Sequence, residues 1–396
     1  MLPRDMSMRA YSELKVIDLS QGVAGPYCAM LLAQQGADVI KVEPVETGDW
    51  SRGLGVKYGD QTAYSIPCNL GKRGIALDLK QHEGQDVLWR LIRGADIFIQ
   101  NFRPGVVDRL GFGYDAVAAR EPRILYVSIS GFGALGPLAE RPAMDPVLQA
   151  FTGLTAENAG EDGIPHRIPI VAIDMSTALF AFGALGAALF ARETTGAGQH
   201  IEASLLQAAA GLQVIRLLQQ YLEDGKLRPP AAPNGVYATT DGWISVTVVR
   251  PFEWEAFCRA LDLSWMLQDQ RFATIEDRIT HAEVIRTELR PMFAGHPFAH
   301  WSARLASAKV MHERLNTYAE FLVHPQTAES EAFTWVEHSD VPRPVPLPNV
   351  IGLPSFTVES SLAHAPSFGE HTDSVLLEHG FAVAQIAALR ARKVIR

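Results

Sequence analysis

"LKVIDLSQGVAGPYCAMLLAQQGADVIKVE", Leu14–Glu43, decides how this chain folds. Leu14–Ser20 is a short apolar run with branched residues, the pattern of a buried strand. "GPYCAMLLAQQGA" then reads as a helix, with Pro26 near its first turn and Gly36 at its end. Asp38–Glu43 is the next strand. Strand, helix and strand in one short stretch make a βαβ unit, the seed of a parallel sheet. Gly22, Ala24 and Gly25 form a close-approach turn after the first strand, and Glu43 ends the second. That spacing suggests a degraded ribose-and-pyrophosphate site and a handle for an adenine nucleotide.

The pattern repeats outward from there. Ile75–Leu79, the stretch Gln85–Phe102 and Arg123–Ser130 supply further strands and a helix. "IPIVAI" (Ile168–Ile173) predicts one more strand, leading through Asp174 into an apolar helix. The apolar run Met175–Ala191 is short for a membrane span and rich in Gly and Ala, so it predicts a buried core helix. A strand and a long helix follow, up to Gly225. A proline-rich linker (Glu223–Gly235), a hairpin turning at Asp241-Gly242 and a second proline-rich stretch (Val341–Pro354) mark a change of character and a return. The expected fold is α/β: a large Rossmann-like doubly wound domain from residues 1–225, completed by 331–396. A smaller α+β domain occupies 226–330.

Composition narrows the function. The 396 residues carry a net charge of −9, against the basic face a nucleic-acid binder needs. Three cysteines without paired spacing, Cys28, Cys68 and Cys258, suggest a reduced compartment with neither a disulfide framework nor a zinc site. The first residues show no secretory signal pattern. The expectation is a cytoplasmic protein with no metal, no nucleic-acid partner and no membrane partner.

Gly131, Gly133 and Gly136 spell G-x-G-x-x-G after a strand. Pro137 and Pro142 leave no room for the helix that a dinucleotide fingerprint requires there. The glycines instead mark a loop at a strand's carboxyl end, where ligands sit in open parallel sheets. Asp174 has two readings: a helix N-cap, or an ionised carboxylate at a ligand crevice, able to attack an activated acyl group. Lys72, Arg73, Arg103, Arg109 and Arg141 recur in loops of a locally basic stretch. They fit recognition of a phosphorylated small molecule. Cys68, close to two cations, is a candidate reactive thiol.

"VIDLSQGVAGPYCAMLLAQQGADVIKVEPVETGDWSR" resembles the N-terminal signature of the class III CoA-transferases. "NLGKRGIALDLK", "NFRPGVVDRLGF", "YVSISGFGALGP", "ARETTGAGQHIEASLLQAA", "GVYATTDGWISV" and "GEHTDSVLLEHGF" continue the likeness in order. The resemblance implies a CoA-transferase with Asp174 as nucleophile and coenzyme A or acyl-CoA as substrate, without a prosthetic group. It assigns CoA contacts to Val23, Ala24, Asn69, Leu70, Lys72, Arg73, Asn101, Phe102, Arg103, Arg109, Met144 and Asp145. It further implies that the loop Gly131–Phe132–Gly133 helps form the active site around bound CoA, where mobile glycines would suit a closing flap, and that two subunits interlock as a homodimer. A small carboxylic acid is the second partner. Two departures limit the analogy. Met144 stands where the related racemases carry a histidine, and a methionine shuttles no proton. The formyl-CoA type has a glycine run after the linker that "PPAAPNGVYATTDG" lacks. A 2-methylacyl-CoA racemase or epimerase and a non-catalytic CoA-binding homologue remain alternatives.

Overall fold

A computed structural model describes residues 9–159, 163–225, 227–357 and 360–396. It separates into two compact units, one of residues up to Val214 with Glu329–Arg396, the other Ile215–Ala328. The first junction lies ahead of the proline-rich stretch. The helix expected to run to Gly225 breaks at Gln213, whose side chain turns back onto Ala209 O and Thr152 Oγ1.

In the larger unit, β1 (Lys15–Asp18), α1 (Ala24–Gln34) and β2 (Asp38–Pro44) form the βαβ unit. Next come α2 (Ser65–Asn69), β3 (Arg73–Leu77), α3 (His82–Ile92) and β4 (Ile97–Gln100). Then follow α4 (Val106–Arg109), α5 (Tyr114–Ala118), β5 (Leu125–Ser130), α6 (Asp145–Phe151) and α7 (Leu154–Glu157). The long α8 (Ala172–Thr195), β6 (Gln199–Ser204), α9 (Leu205–Leu212) and α10 (Val214–Leu222) lead out of it. The six strands are parallel, in the order β3-β2-β1-β4-β5-β6. This is the doubly wound order whose direction reverses between β1 and β4, and ligands bind in the crevice at that switch point.

Alternate residues of each strand feed opposite faces. Val16, Ile97, Ile99, Leu125 and Val127 pack under α1 and α8, while Ile17, Ile40, Phe98 and Tyr126 pack on the other side. Each such side chain contributes about 1.5–3 kcal/mol on full burial. The second layer takes Val375, Leu376, Ile386 and Leu389 from the C-terminal segment, and Asp78 N–H donates to Val394 O.

In the smaller unit, β7 (Asn234–Thr239) and β8 (Gly242–Thr247) make the hairpin, and β9 (Met311–Arg314) joins β8. The turn residues are Thr240 and Asp241, one place earlier than the sequence suggests, because Thr239 pairs with Gly242.

Two expectations fail in the larger unit. Ile168–Ile173 is not a strand. Pro165 and Pro169 lack backbone donors, and the polar groups of Ile168 and Ile170 bond to the Gln149 side chain instead of a neighbouring strand. Nor is α8 buried all round. One stripe, Thr177, Ala178, Ala181, Leu185 and Ala188, enters the core, while Leu179, Phe180 and Phe190 stand exposed.

Candidate functional site

The first βα loop is fixed by buried charges. Lys41 Nζ donates to Asp49 Oδ2 at 2.8 Å and to Ser20 O. Asp49 Oδ1 accepts from the N–H groups of Gly22 and Ser51. Gly22 has φ +84°, and a Cβ there would lie 2.0 Å from the Trp50 ring, so only glycine fits. Burial alone would push the Asp18 carboxyl up. Lys41 and Lys72 beside it reverse this and hold it below the usual carboxylate range. Across the switch point, Asn101 clasps the same loop, accepting from Gln21 N at 2.8 Å and donating to Gln21 O at 2.7 Å. Val23 and Ala24, buried at the start of α1, thus follow a loop held from two sides. The structure shows no side-chain cap there.

A mostly apolar cavity of about 190 Å³ opens at the carboxyl ends of β1, β2 and β3. Leu19, Val42, Leu77, Leu79, Lys80 and Phe102 help line it. A second, of about 430 Å³, lies beyond Phe102 and is lined in part by Arg103, Ser128, Phe132, Gly133 and His200. Arg109 is exposed, next to Leu110, which lines the first cavity.

This placement sets part of the sequence-derived set apart from the first cavity. Lys72 and Arg73 stand at the beginning of β3, whereas the cavity forms at its far end, Leu77–Lys80. Lys72 Nζ is buried and donates to Asp18 Oδ2 at 2.7 Å, Pro26 O at 2.8 Å and Asn69 Oδ1 at 3.1 Å, which occupies an ammonium's three donors. Arg73 bonds to Asp38 and Glu378. Leu70 is buried in an apolar cluster with Met30 and Leu31. Glu43 is not free for a ribose, because its carboxylate bonds to Arg52 and to Asp49 N–H. Cys68 is buried, and burial pushes its thiol up to about 12, which leaves no reactive thiolate near neutral pH. Leu77, Leu79 and Lys80 line the cavity but were not in the sequence-derived set. Their signal was the end of "GIALDLK" rather than its start.

The glycine loop is less free than its composition suggests. Gly131 O accepts from Leu206 N, and a Cβ on Gly131 would meet Ala143 Cβ at 2.3 Å. Phe132 is buried against Phe151. Gly133 and Gly136 have positive φ, and Gly136 has open space around its Cα. Freedom therefore begins past Phe132.

Asp174 lies in the first turn of α8, which packs on α1. Its carboxyl is half-buried. Burial, and then the charge of Asp145, push it up to about 7. Asp145, fully buried at the start of α6, is the actual cap of α8: its Oδ2 accepts from Ile173 N at 2.7 Å and Asp174 N at 3.1 Å. The N-cap reading of Asp174 therefore gives way, and its own carboxyl is left without those donors. Met144, next to Asp145, is exposed. Among the described residues no cluster of His, Cys, Asp and Glu is arranged to hold a metal.

The model of CoA-transferase family III matches residues 11–372. An acyl-CoA transferase of Fusarium pseudograminearum is 32% identical over 98% of this chain and 89% of its own length. The acetyl-CoA:oxalate CoA-transferase of Acetobacter aceti is 34% identical over 80% of this chain and 84% of its own. Among solved structures, an aspartate-to-alanine mutant of Rv3272 from Mycobacterium tuberculosis superposes with a TM-score of 0.82 at 27% identity. The match covers 92% of this chain and 98% of that one. A doubly wound sheet with its crevice at the switch point, matched along nearly its whole length in this way, defines an acyl-CoA-handling transferase. The chain belongs to CoA-transferase family III. Its chemistry is CoA transfer, with coenzyme A and its thioesters as substrates.

Proposed function

We propose that the protein moves CoA from an acyl-CoA to a free carboxylic acid through covalent intermediates on Asp174. The observation that carries this is a carboxyl at the start of α8 whose neighbouring N–H groups are taken by Asp145. With its carboxyl raised to about 7, Asp174 is partly ionised at neutral pH and more basic than an ordinary aspartate. That suits a nucleophile in a sheltered site.

An Asp174 oxygen attacks the thioester carbonyl. The carbon–sulfur bond breaks, CoA leaves as thiolate, and a mixed anhydride remains. The thiolate attacks the aspartyl carbonyl, releasing the donor acid and leaving CoA in thioester linkage to Asp174. The acceptor carboxylate attacks that thioester and expels the thiolate. The thiolate then attacks the acceptor's carbonyl, which frees the new acyl-CoA and restores Asp174. No proton is consumed, and the thioester's free energy is conserved as long as water stays out.

The adenosine end of CoA fits the apolar cavity at Leu77–Lys80. Lys80, which lines it, and the exposed Arg109, next to Leu110 in sequence, are the cations assigned to the phosphates, and Arg103 lines the neighbouring cavity. The exposed Leu179, Phe180 and Phe190 of α8 support burial against a second copy, in keeping with an interlocked homodimer.

The test supplies acetyl-CoA or succinyl-CoA with a panel of short mono- and dicarboxylic acids, oxalate included, and identifies new thioesters by mass. Hydroxylamine trapping after donor addition labels Asp174, and Asp174→Ala transfers nothing while still binding CoA. Near-normal turnover by that variant refutes the nucleophile. Fast exchange of the α-proton of a 2-methylacyl-CoA in deuterated water, with no acceptor acid present, would replace this reading with the racemase. Met144 has no proton to offer such a reaction.

A further inference from the structure

The irregular segment that replaces the expected strand at 168–171 is held by a single side chain. Gln149, buried on α6, presents its amide edge to the backbone as a neighbouring strand would. Its Oε1 accepts from Ile168 N at 3.0 Å. Its Nε2 donates to Ile168 O at 3.2 Å and Ile170 O at 3.3 Å. The same Nε2 also donates to Asp145 Oδ1 at 2.6 Å. Asp145 then spends its other oxygen on Ile173 N and Asp174 N. One turn of α6 therefore grips both the approach to α8 and its first turn. Gln149 and Asp145 are each 1% exposed, so water does not compete for these bonds.

We propose that Gln149 is a positioning residue for Asp174: its amide locks segment 168–174 against α6, which keeps Asp145 bonded to the backbone of the nucleophile. This rests on the assignment of Asp174 as nucleophile. The amide is needed in both its halves. A carboxylate in its place would have no donor for Asp145 and the two carbonyls, and a methionine would have neither donor nor acceptor. When the clamp opens, Ile173 N–H and Asp174 N–H leave Asp145 and become available to the Asp174 carboxylate itself. Asp145 also moves away from it. Both changes favour the ionised, less basic form of Asp174. The titratable groups that act on Asp174 are Asp145 from α6 and Cys68 from α2. The thiol stays neutral near pH 7, so it takes no part in the response.

The experiment compares wild type with Gln149→Met, which keeps the volume, and Gln149→Ala, which leaves room for water. Three quantities are read: CoA affinity, the steady-state constants for transfer, and the pH at which Asp174 becomes half-reactive toward a carbodiimide with an amine trap. The last, followed by peptide mass, reports the protonated carboxyl without requiring turnover. The expected result for both variants is CoA affinity within twofold of wild type and kcat at least tenfold lower. KM for the acyl-CoA stays within twofold, and the labelling midpoint falls by half a pH unit or more. An unmoved midpoint overturns the proposal, as does kcat within twofold. Loss of CoA binding in both variants overturns it too, because Gln149 would then serve the fold alone. Failure of the transferase reading is a separate outcome, seen when wild type transfers nothing or when Asp174→Ala stays active.

Discussion

Replacing Asp174 by Asn should make the protein more stable, and only above mildly acidic pH. The carboxyl moves from an ordinary 3.8 in the unfolded chain to about 7 in the fold, driven first by burial and then by Asp145. An acid whose folded value is raised is ionised in the unfolded chain before it is ionised in the native one. Between those two values the unfolded state binds fewer protons, so stability falls as pH rises, and the loss is complete above about 7. About three units at 1.36 kcal/mol each sets a ceiling near 4 kcal/mol. The carboxyl is only half-buried, and the α8 N-terminus favours the anion by roughly 0.3–1 kcal/mol. About 2 kcal/mol is therefore the expected gain for Asp174→Asn at pH 8. Urea unfolding at pH 4.5, 6 and 8, at one protein concentration so that association is held constant, reads it directly. The gap between variant and wild type should be small at pH 4.5 and widen to its full size by pH 8. A variant no more stable than wild type at pH 8, or a gap equal at all three values, refutes the strained-carboxyl reading.

Two further substitutions separate binding from structure. Lys72→Met should destabilise the fold by about 3–5 kcal/mol in urea, because it leaves the Asp18 carboxylate short of a partner in a fully buried site. A folded Lys72→Met protein that has lost only CoA affinity would return Lys72 to the phosphate-binding set. Lys80→Ala and Arg109→Ala should leave unfolding unchanged and weaken CoA by about tenfold each, the size of one charge-assisted contact. Whichever residue meets the 3′-phosphate should lose its effect with dephospho-CoA, and unchanged CoA affinity in both variants would move the nucleotide end out of the Leu77–Lys80 cavity.

The parallel sheet was legible because its cause is local. Alternating buried residues such as Val16 and Ile17, a proline in the first turn of α1 and a glycine after it all sit within one βαβ unit. Asp174 was legible too, as a carboxylate in the first turn of a helix. The level of each cation along its strand was not. "NLGKRGIALDLK" offers three cations, and nothing local says that Lys72 turns inward to Asp18, a residue 54 positions away, while Lys80 reaches the open rim. The same limit misread Ile168–Ile173. An apolar run with branched residues has strand character, but its backbone partners are supplied by Gln149 on another helix. The all-round apolarity of α8 misled for a further reason. One face is apolar because the core lies under it, and the other face, with Phe180 and Phe190, is apolar although this chain alone leaves it exposed.

The position of Asp174, the nucleophile proposed above, poses a chemical problem that the fold resolves in its own way. A helix N-terminus stabilises negative charge, through its dipole and its free N–H groups. A carboxylate placed there with nothing else nearby would be more acidic, hence a weaker nucleophile toward a thioester. In this protein the N–H groups of Ile173 and Asp174 are both given to Asp145. The cap satisfies the helix and at the same time withholds those donors from Asp174. It also sets a second negative charge close by, which raises Asp174 further. The two requirements, a well-ended helix and a basic carboxylate on it, are met by separate aspartates. A buried amide from Gln149 fixes how they face each other. Exchanging the roles would fail, because Asp145 is fully buried and has both oxygens engaged, whereas Asp174 is only half-buried.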